Sequence, residues 1–518
     1  ETADKLLEQN QDADLALRLK LIADQDADGD GFTNLQEVLS GTAPGDKTKF
    51  PAADSKKKLE QLTAEFNEFQ NRLIERFPHE RKGIIKYLTL IKNVSRQLQL
   101  IPKIRTIWQQ ITIPFRTKHM GKYAPFTLKR VINWHVKDPL LQRILNIQYG
   151  DHGLPPSKAS FLMHAAIMDH YSEGGFYPMG GGGALVKAMT NTIKKYGSLV
   201  KTKSAVANII VETINNTKIA KGVILKNGQK IFADRVISNA DPETTYKKMI
   251  GTKFLSKKLL KKLDKTKYSC TSLMLFLTVD MDIKKAGLDS GNIWMMPNRD
   301  MDELYDDMQK CDILEGDEFS GLFISCTSLK DPISFDGRFH TLEVITYINY
   351  EAFAGFENEE IERSQAYLDF KEKIMQKFLN SLERVVPGIS DKIVHKDLGT
   401  PLTNEYYLNT YKGNVYGTEK SLKHIGPFAY RSKSEIRDLY MCGASIVSHG
   451  VAGAGYSGVQ TAASILGCKQ DDLIQPDSEQ SLRIYDAEDD SNYPEWMLKK
   501  IEVKKARLKS GVHAFSKV

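Results

Sequence analysis

Apolar and polar residues follow two different periods along this chain, and the change between them indicates its architecture. From residue 58 to about residue 170, apolar residues recur three and four positions apart, as in LEQLTAEFNEFQNRLIERF, a pattern typical of amphipathic helices. After residue 204 the period becomes two, in SAVANIIVETI and KGVILKNGQKIFADRVISNAD. Asn227-Gly228 between two such runs predicts a tight β-hairpin. The sequence therefore predicts a helical region followed by β-rich segments.

The later part of the chain alternates between these two patterns. GGGGALVKAMTNTIKKYG predicts a helix that follows four glycines, and SLMLFLTVDM and HTLEVITYINY predict strands around a long helical run, EEIERSQAYLDFKEKIMQKFLNSLERVV. We predict an α/β fold with a mixed α+β region inserted into it. The predicted regions are 1–50 (calcium-loop module and linker), 58–170 (mainly helical), 171–251 (α/β segment), 252–430 (inserted α+β domain), 431–470 (C-terminal α/β segment) and 471–518 (acidic, then basic tail).

The N-terminal module contains DADGDGFTNLQE, which has the ligand spacing of an EF-hand or dockerin-like calcium loop. Oxygen-bearing side chains stand at positions 1, 3, 5, 9 and 12, and Gly31 occupies the sixth position, where the turn needs an unhindered backbone. The predicted ligands are Asp26, Asp28, Asp30, Asn34 and Glu37. Thr33 replaces the aliphatic residue that a paired EF-hand usually has, so an acidic turn with weak or no calcium binding is the alternative.

The amino-acid composition limits the classes of protein to which the chain could belong. The 518 residues are 41% hydrophobic and 26% charged, which is ordinary for a globular protein of several domains. The five cysteines form no CxxC pair, which argues against a disulfide framework and a zinc site. The first residues are acidic and unlike a signal peptide, and no apolar run is long enough for a spanning helix. Because the chain opens at Glu1, we expect a processed or truncated chain.

The net charge of +7 conceals a strongly basic stretch. Residues 81–137 hold thirteen Lys and Arg and no Asp or Glu, interleaved with large aliphatic and aromatic residues. This pattern fits peripheral contact with an anionic membrane surface, where apolar side chains insert between headgroups. A solvated face of an amphipathic core helix is the open alternative, and the many aliphatic residues disfavour nucleic acid. Oligomeric state and cellular compartment do not follow from these features.

A glycine-rich stretch, DLYMCGASIVSHGVAGAGYSGVQTAASILG, spans residues 438–467. Its apolar start predicts a strand and its end predicts a helix, and Gly453, Gly455 and Gly458 spell GxGxxG. An NAD fingerprint needs a second strand that ends in an acidic residue about twenty residues later. The polar sequence GCKQDDLIQPDSEQ follows instead, so we reject an NAD site here.

Taken together, five segments resemble those of the FAD-dependent phytoene desaturase, carotenoid isomerase and retinol saturase family, and GLDSGNIW with SHGVAGAGYSG resembles the retinol-saturase side most. The segments are FPHERKGI, YPMGGGGALVKAM, GVILKNGQKIFADRVISNADP, TPLTNEYYLNTYKGNVYG and DLYMCGASIVSHGVAGAGYSGVQTA. The resemblance covers residues 60–467 approximately. It implies a Rossmann-like FAD domain, a substrate domain with an apolar tunnel for a polyene, and action at a membrane.

The resemblance also implies individual cofactor contacts. Val206 would hold the adenine edge through its backbone, and Gly443 and Ala444 would lie beside the ribityl-phosphate part. The isoalloxazine ring would face the residues before a helix that opens at Gly453. These are Gly450, Val451 and Ala452. Asn239 and Asp241 end a strand that this fold would bring near the cofactor.

The chain departs from the family pattern at its start. Family members begin with a strand–GxGxxG–helix unit for the FAD diphosphate, and nothing before residue 60 resembles it. We expect an incomplete or rearranged chain; a unit from another chain, or weak FAD binding, is the alternative.

The implied chemistry is hydride transfer between a conjugated polyene and the flavin, which supplies the difficult step. His449 is the candidate catalytic residue by motif position, and a hydrogen-bonded structural histidine is the alternative. Three hypotheses follow: a polyene saturase or desaturase, a carotenoid cis-trans isomerase that uses reduced flavin, and a non-catalytic flavoprotein remnant joined to a calcium module.

Overall fold

The structure is a computed structural model that describes residues 68–100, 113, 115–172, 174–357, 363–474 and 483–509. The predicted calcium loop, within residues 1–50, lies outside the described residues. The chain forms two compact units. The described part of the first comprises residues 68–92, 168–172 and 174, and the second begins at Asn93 and resumes at Gly175. The six predicted region boundaries stay predictions.

The first unit is built on the helical period that the sequence shows. Helix α1 spans Arg81–Leu100. Its apolar residues within the first unit recur three and four positions apart, so they share one face, and that face is buried. The fully buried residues of this face are Ile84, Tyr87, Leu88 and Ile91.

The remaining helices follow along the chain. They are α2 (Lys118–Tyr123), α3 (Leu128–His135), α4 (Pro139–Asn146), α5 (Phe161–Tyr171), α6 (Gly181–Lys195), α7 (Lys257–Lys265), α8 (Met301–Met308), α9 (Thr327–Lys330), α10 (Gln365–Glu383), α11 (Pro401–Leu408), α12 (Gly450–Leu466) and α13 (Glu495–Lys509). A π-helix spans Glu243–Ile250, where the proline-led run PETTYKKMI predicts a helix. No described helix is long and apolar enough to cross a bilayer.

The strands of the second unit form three sheets. They are β1 (Val206–Ile214), β2 (Thr217–Leu225), β3 (Lys230–Phe232), β4 (Val236–Ser238), β5 (Thr271–Val279), β6 (Asn292–Met295), β7 (Leu322–Cys326), β8 (His340–Ile348), β9 (Ile393–Gly399) and β10 (Leu439–Met441). The sheet orders are β1-β2-β3, β10-β4 and β6-β7-β8-β5-β9. The pair β10-β4 is parallel, whereas the other two sheets are antiparallel.

The hairpin predicted at Asn227-Gly228 is confirmed, because it joins the antiparallel strands β2 and β3. The Gln229 N–H also donates to the Asn227 Oδ1, as expected when asparagine leads a tight turn. The α/β class is confirmed as well, since helices alternate with strands of parallel and antiparallel sheets along the second unit.

Two hydrophobic cores hold the second unit together. One joins the five-stranded sheet to α10, and alternate residues of β5 meet fully buried side chains such as Phe378 and Leu382 there. The other joins β1, β2, β4 and β10 to the π-helix through residues that include Ile209, Val236 and Leu439. Helix α6 belongs to neither, because none of its residues is buried. The second core fixes the parallel pair that carries the candidate site.

Candidate cofactor site

The candidate site lies at the carboxyl ends of the parallel strands β4 and β10. Their register pairs Val236 with Leu439 and Ser238 with Met441, and the Cys442 N–H donates to the Ser238 carbonyl at 2.9 Å. Parallel strands in open α/β sheets carry their ligands at this edge. The segments after the two strands, which begin at Asn239 and Cys442, therefore start side by side.

Gly443 makes the turn after β10. Its φ of +95° is a conformation that L side chains rarely adopt, and a Cβ added there would stand 2.0 Å from the Asn239 Oδ1. Its N–H donates to the Ser457 Oγ at 2.7 Å, and the Thr461 Oγ donates to the Met441 carbonyl at 2.9 Å. The turn is thus held tightly between β4 and α12.

Asp241, which follows β4, binds the same turn from the other side. Only 6% of Asp241 is exposed. One carboxylate oxygen accepts from the Ser445 Oγ at 2.9 Å, and the other accepts from the Tyr411 N–H at 2.9 Å and the Asn414 Nδ2 at 2.8 Å. The carboxylate therefore fastens the segment after β10 to the segment after α11. We call this the Asp241 clamp.

Lys420 is a buried cation next to this clamp. Its exposed fraction is 4%, and its Nζ donates to the Ala444 carbonyl at 2.7 Å and to the Thr418 Oγ at 3.2 Å. Burial lowers the pKa of Lys420 to about 8, although the charge of Asp241 favours the protonated amine. No carboxylate of the described residues lies within ion-pair distance of this Nζ.

His449 occupies the N-cap position of α12, and its side chain contacts the loops that carry Asp151 and Tyr416. Its Nε2 donates to the Asp151 carbonyl, and its ring lies 4.5 Å from the Tyr416 ring. Burial lowers the pKa of His449 to about 4, and nearby Lys420 adds to this shift, while the bond to Asp151 opposes it. The imidazole is therefore neutral at physiological pH, which favours the structural alternative over a general acid. Its Nδ1 is buried without a partner in the described part of the chain.

The literal GxGxxG motif lies inside a helix. Helix α12 begins at Gly450, three residues before the predicted start at Gly453, so that expectation was wrong. A Cβ at Gly453 would stand within 2.9 Å of the Ser448 backbone, whereas Gly455 and Gly458 face open space. One glycine of the three thus serves close packing, and the motif is not a strand-to-helix phosphate turn.

The structure brings most of the predicted cofactor residues together. Gly443 and Ala444 lie in the turn after β10, and the predicted ring-facing residues form the first turn of α12. These are Gly450, Val451 and Ala452. Val206 stands elsewhere, as the first residue of β1 in the antiparallel sheet. Lys420, Asn414 and Ser457 were not predicted from the sequence. Asn414 lies in the segment YKGNVYG, which resembles the family pattern, and Lys420 follows that segment by three residues.

A pocket opens beside the clamp. Its volume is about 700 Å³, within the usual range for small-molecule sites. Its walls combine Cys270, Ile348 and the rings of Tyr305, Tyr350 and Tyr411 with polar and charged side chains, among them Lys267, Glu351, Lys412 and Glu419. Burial raises the pKa of the Cys270 thiol to about 12, so the thiol stays protonated and apolar. The backbone N–H of Tyr411 is one of the groups that Asp241 binds, so the clamp also positions one wall of the pocket.

A line of aromatic side chains continues from His449 toward the five-stranded sheet. The Tyr416 hydroxyl lies 2.8 Å from that of Tyr347 on β8. Beyond them, Tyr149 and Tyr305 pack with Met301, Leu304 and Met308 in a small buried cluster. Flexible thioethers and aromatic rings can adapt to an elongated apolar ligand.

These residues fit the ring and ribityl part of FAD. The Gly443 turn allows close backbone approach, and the Ala444 N–H has no partner in the described part of the chain. The N-terminus of the seventeen-residue helix α12 and Lys420 add positive potential. Residues that could hold the FAD diphosphate on a glycine-rich strand–helix turn are not among those described.

The chain is similar in sequence to two kinds of enzyme. The chain is 27% identical over 429 residues to all-trans-retinol 13,14-reductase of Danio rerio, and the aligned region covers 79% of this chain and 70% of that protein. It is also 28% identical over 425 residues to a chloroplastic prolycopene isomerase of Daucus carota, and the aligned region covers 78% of this chain and 64% of that protein. The chain is thus a homologue of these retinol reductases and prolycopene isomerases, and the resemblance predicted from the motifs is confirmed.

The remaining comparisons give weaker similarities. No protein-family model matches the chain. An inactive all-trans-retinol 13,14-reductase of Danio rerio is 22% identical over 463 residues and spans 85% of this chain and 73% of that protein. A solved putrescine oxidase superposes with a TM-score of 0.49 at 12% identity and spans 75% of this chain and 76% of that chain.

Proposed function

We propose that this protein is an FAD-dependent oxidoreductase of the saturase or desaturase type that acts on a conjugated polyene, a carotenoid or a retinoid. The observation that carries the proposal is the direct link between the predicted cofactor turn and the pocket. Asp241 binds Ser445 in that turn and Tyr411 in the pocket wall through the same carboxylate. Homology to retinol reductases supports the substrate class.

The residues present have three tasks in such a reaction. When bound, FAD supplies the hydride chemistry. The Gly443 turn lets the backbone approach the flavin, and the Asp241 clamp fixes the distance between this turn and the substrate pocket. The tyrosine rings in the pocket wall would pack against a linear polyene.

Isomerisation is the second candidate, and homology to a prolycopene isomerase favours it. A cis-trans isomerase would use reduced flavin without net oxidation or reduction of the polyene. The same pocket and turn would serve both reactions. The third hypothesis is a non-catalytic protein, and the similarity to an inactive retinol reductase supports it.

Peripheral membrane contact through residues 81–137 accompanies this proposal. Trp134 is 46% exposed, with the Phe126 ring at 4.7 Å and the Arg130 guanidinium 5.4 Å from its ring. An exposed indole beside a cation suits a headgroup interface. Burial and the charges of Lys118 and Lys122 lower the pKa of His119, which supports a positive surface potential there.

The proposed function predicts a product of changed mass. The full chain is loaded with FAD, reduced anaerobically with dithionite and mixed with vesicles of anionic and neutral lipid that contain an all-trans polyene. We expect the chain to sediment with the vesicles. We also expect a product two hydrogens heavier than the polyene, because a hydride and a proton add across one double bond. A product of unchanged mass would support the isomerase, and unchanged polyene with bound flavin would support the non-catalytic alternative.

Calcium binding by residues 1–50 is a separate proposal. We expect one calcium ion per chain, and we expect Asp26→Ala to weaken binding about tenfold or more, because the first loop position loses a carboxylate ligand. Calorimetric titration of the full chain measures this, with Asp12→Ala as a control outside the loop. Equal affinities in wild type and Asp26→Ala would remove the site.

A further inference from the structure

Lys420 carries a buried charge with no carboxylate among its hydrogen-bond acceptors, although the charge of Asp241 nearby favours the protonated amine. A buried ammonium normally needs a carboxylate partner or several hydrogen bonds. The nearby acid, Asp241, already accepts from Ser445, Tyr411 and Asn414. The Lys420 Nζ donates instead to two uncharged acceptors, the Ala444 carbonyl and the Thr418 hydroxyl.

Another buried lysine provides a comparison. Lys377 in α10 is 8% exposed and donates to the carbonyls of Ile313 at 3.0 Å and Glu315 at 2.6 Å. Three acidic side chains favour its charge, those of Asp312, Glu315 and Asp317. Lys377 thus has a structural task with local compensation. Lys420 has only Asp241 in that role.

The N-terminus of α12 adds positive potential near the cofactor turn to the charge of Lys420. The carbonyl that Lys420 binds belongs to Ala444, whose N–H is unbonded in the described part of the chain. Burial and, to a smaller extent, the Lys420 charge lower the pKa of His449, which occupies the N-cap position of α12 without a side-chain capping bond. A ligand that gains negative charge at this turn would be stabilised there.

We propose that Lys420 stabilises the negative charge that a flavin ring gains on reduction, and that it thereby raises the reduction potential of the bound flavin. The inference rests on the proposed function. At neutral pH, two electrons from dithionite and one proton from water convert the neutral oxidised ring into a monoanion. A buried cation beside the Gly443 turn lowers the free energy of that anion more than that of the neutral ring.

Sulfite titration of the FAD-loaded full chain tests this inference, because sulfite adds to oxidised flavin and leaves a negative charge on the ring. We expect Lys420→Met to weaken sulfite binding about tenfold or more. A tenfold change corresponds to about 30 mV for a two-electron couple, so the midpoint potential should fall by at least that amount. Lys420→Arg should stay close to wild type, because it keeps the charge.

Lys377→Met is the matched control, since it removes a buried lysine away from the cofactor turn and should leave sulfite binding unchanged. Circular dichroism and flavin stoichiometry check that each variant folds and binds. If wild type retains no flavin, the proposed function fails. If flavin binds and Lys420→Met binds sulfite as wild type does, the inference about Lys420 is overturned.

A pH series keeps the inference testable if Lys420→Met does not fold. The titratable groups that face Lys420 are Asp241 and His449, and His449 is already neutral above pH 6. Sulfite affinity of wild type relative to Lys420→Arg should fall as pH rises through about 8, because only the lysine loses its proton there. A constant ratio across that range would contradict the proposed role.

Discussion

Replacing Gly443 with alanine is expected to abolish tight FAD binding and to lower the free energy of unfolding by about 2–4 kcal/mol. The new Cβ would stand 2.0 Å from the Asn239 Oδ1, and the φ of +95° would be strained even if Asn239 moved away. The turn would have to shift, and with it the backbone that we propose lies against the flavin. Absorbance after desalting measures retained flavin, and urea denaturation measures stability.

Gly455→Ala is the matched control for this prediction. Gly455 lies in α12 and has no atom within 4 Å of its added Cβ. Alanine there should be neutral or stabilise the helix by up to about 1 kcal/mol. The double variant Asn239→Ala/Gly443→Ala should recover part of the stability, because it removes the clash but keeps the strain. Equal flavin retention by Gly443→Ala and Gly455→Ala would contradict the assignment of this turn to the cofactor.

Removing the Asp241 carboxylate is the second change with a large expected effect. Asp241→Ala leaves the Ser445 hydroxyl, the Tyr411 N–H and the Asn414 amide without their acceptor. Each buried donor without a partner costs about 1–3 kcal/mol, so we expect a loss of at least about 3 kcal/mol. Lys420 also loses its one favourable charge, which adds to the destabilisation. Urea denaturation measures the loss.

Asp241→Asn should be clearly milder. Its amide oxygen can still accept from Tyr411 and Asn414, and its Nδ2 can donate to the Ser445 hydroxyl in place of the reverse bond. Asp264→Ala is the surface control, because Asp264 is 66% exposed in an ion pair with Lys247. Such a pair contributes at most about 1 kcal/mol. If Asp241→Ala cost no more than Asp264→Ala, the clamp would not hold the two segments together.

The sequence was sufficient for features with a local signal. Period-two alternation and Asn227-Gly228 predicted the β2-β3 hairpin, and the apolar DLYMC run predicted β10. The end of the glycine-rich stretch predicted a helix, and α12 is that helix. These features depend on residues that are near one another along the chain, so a pattern can reveal them.

The charge network of the site could not be predicted in this way. Asp241 lies 173 residues before Asn414, and tertiary packing brings it to the same turn as Asn414 and Lys420. The start of α12 was placed three residues late because Gly450 reads as a loop residue in a glycine-rich segment. A single buried lysine has no periodic signal, so only its burial and partners identify it.

The spectrum of the flavin during the anaerobic vesicle assay tests the central proposal most directly. The wild-type 518-residue chain is loaded with FAD, the flavin is reduced with dithionite, and the excess dithionite is removed. The all-trans polyene is then added while the visible absorbance is recorded. The proposal predicts that the absorption bands of oxidised flavin return as the polyene absorbance falls, one flavin for each double bond reduced. A flavin that stays reduced in the presence of bound polyene, with no double bond lost, would contradict it.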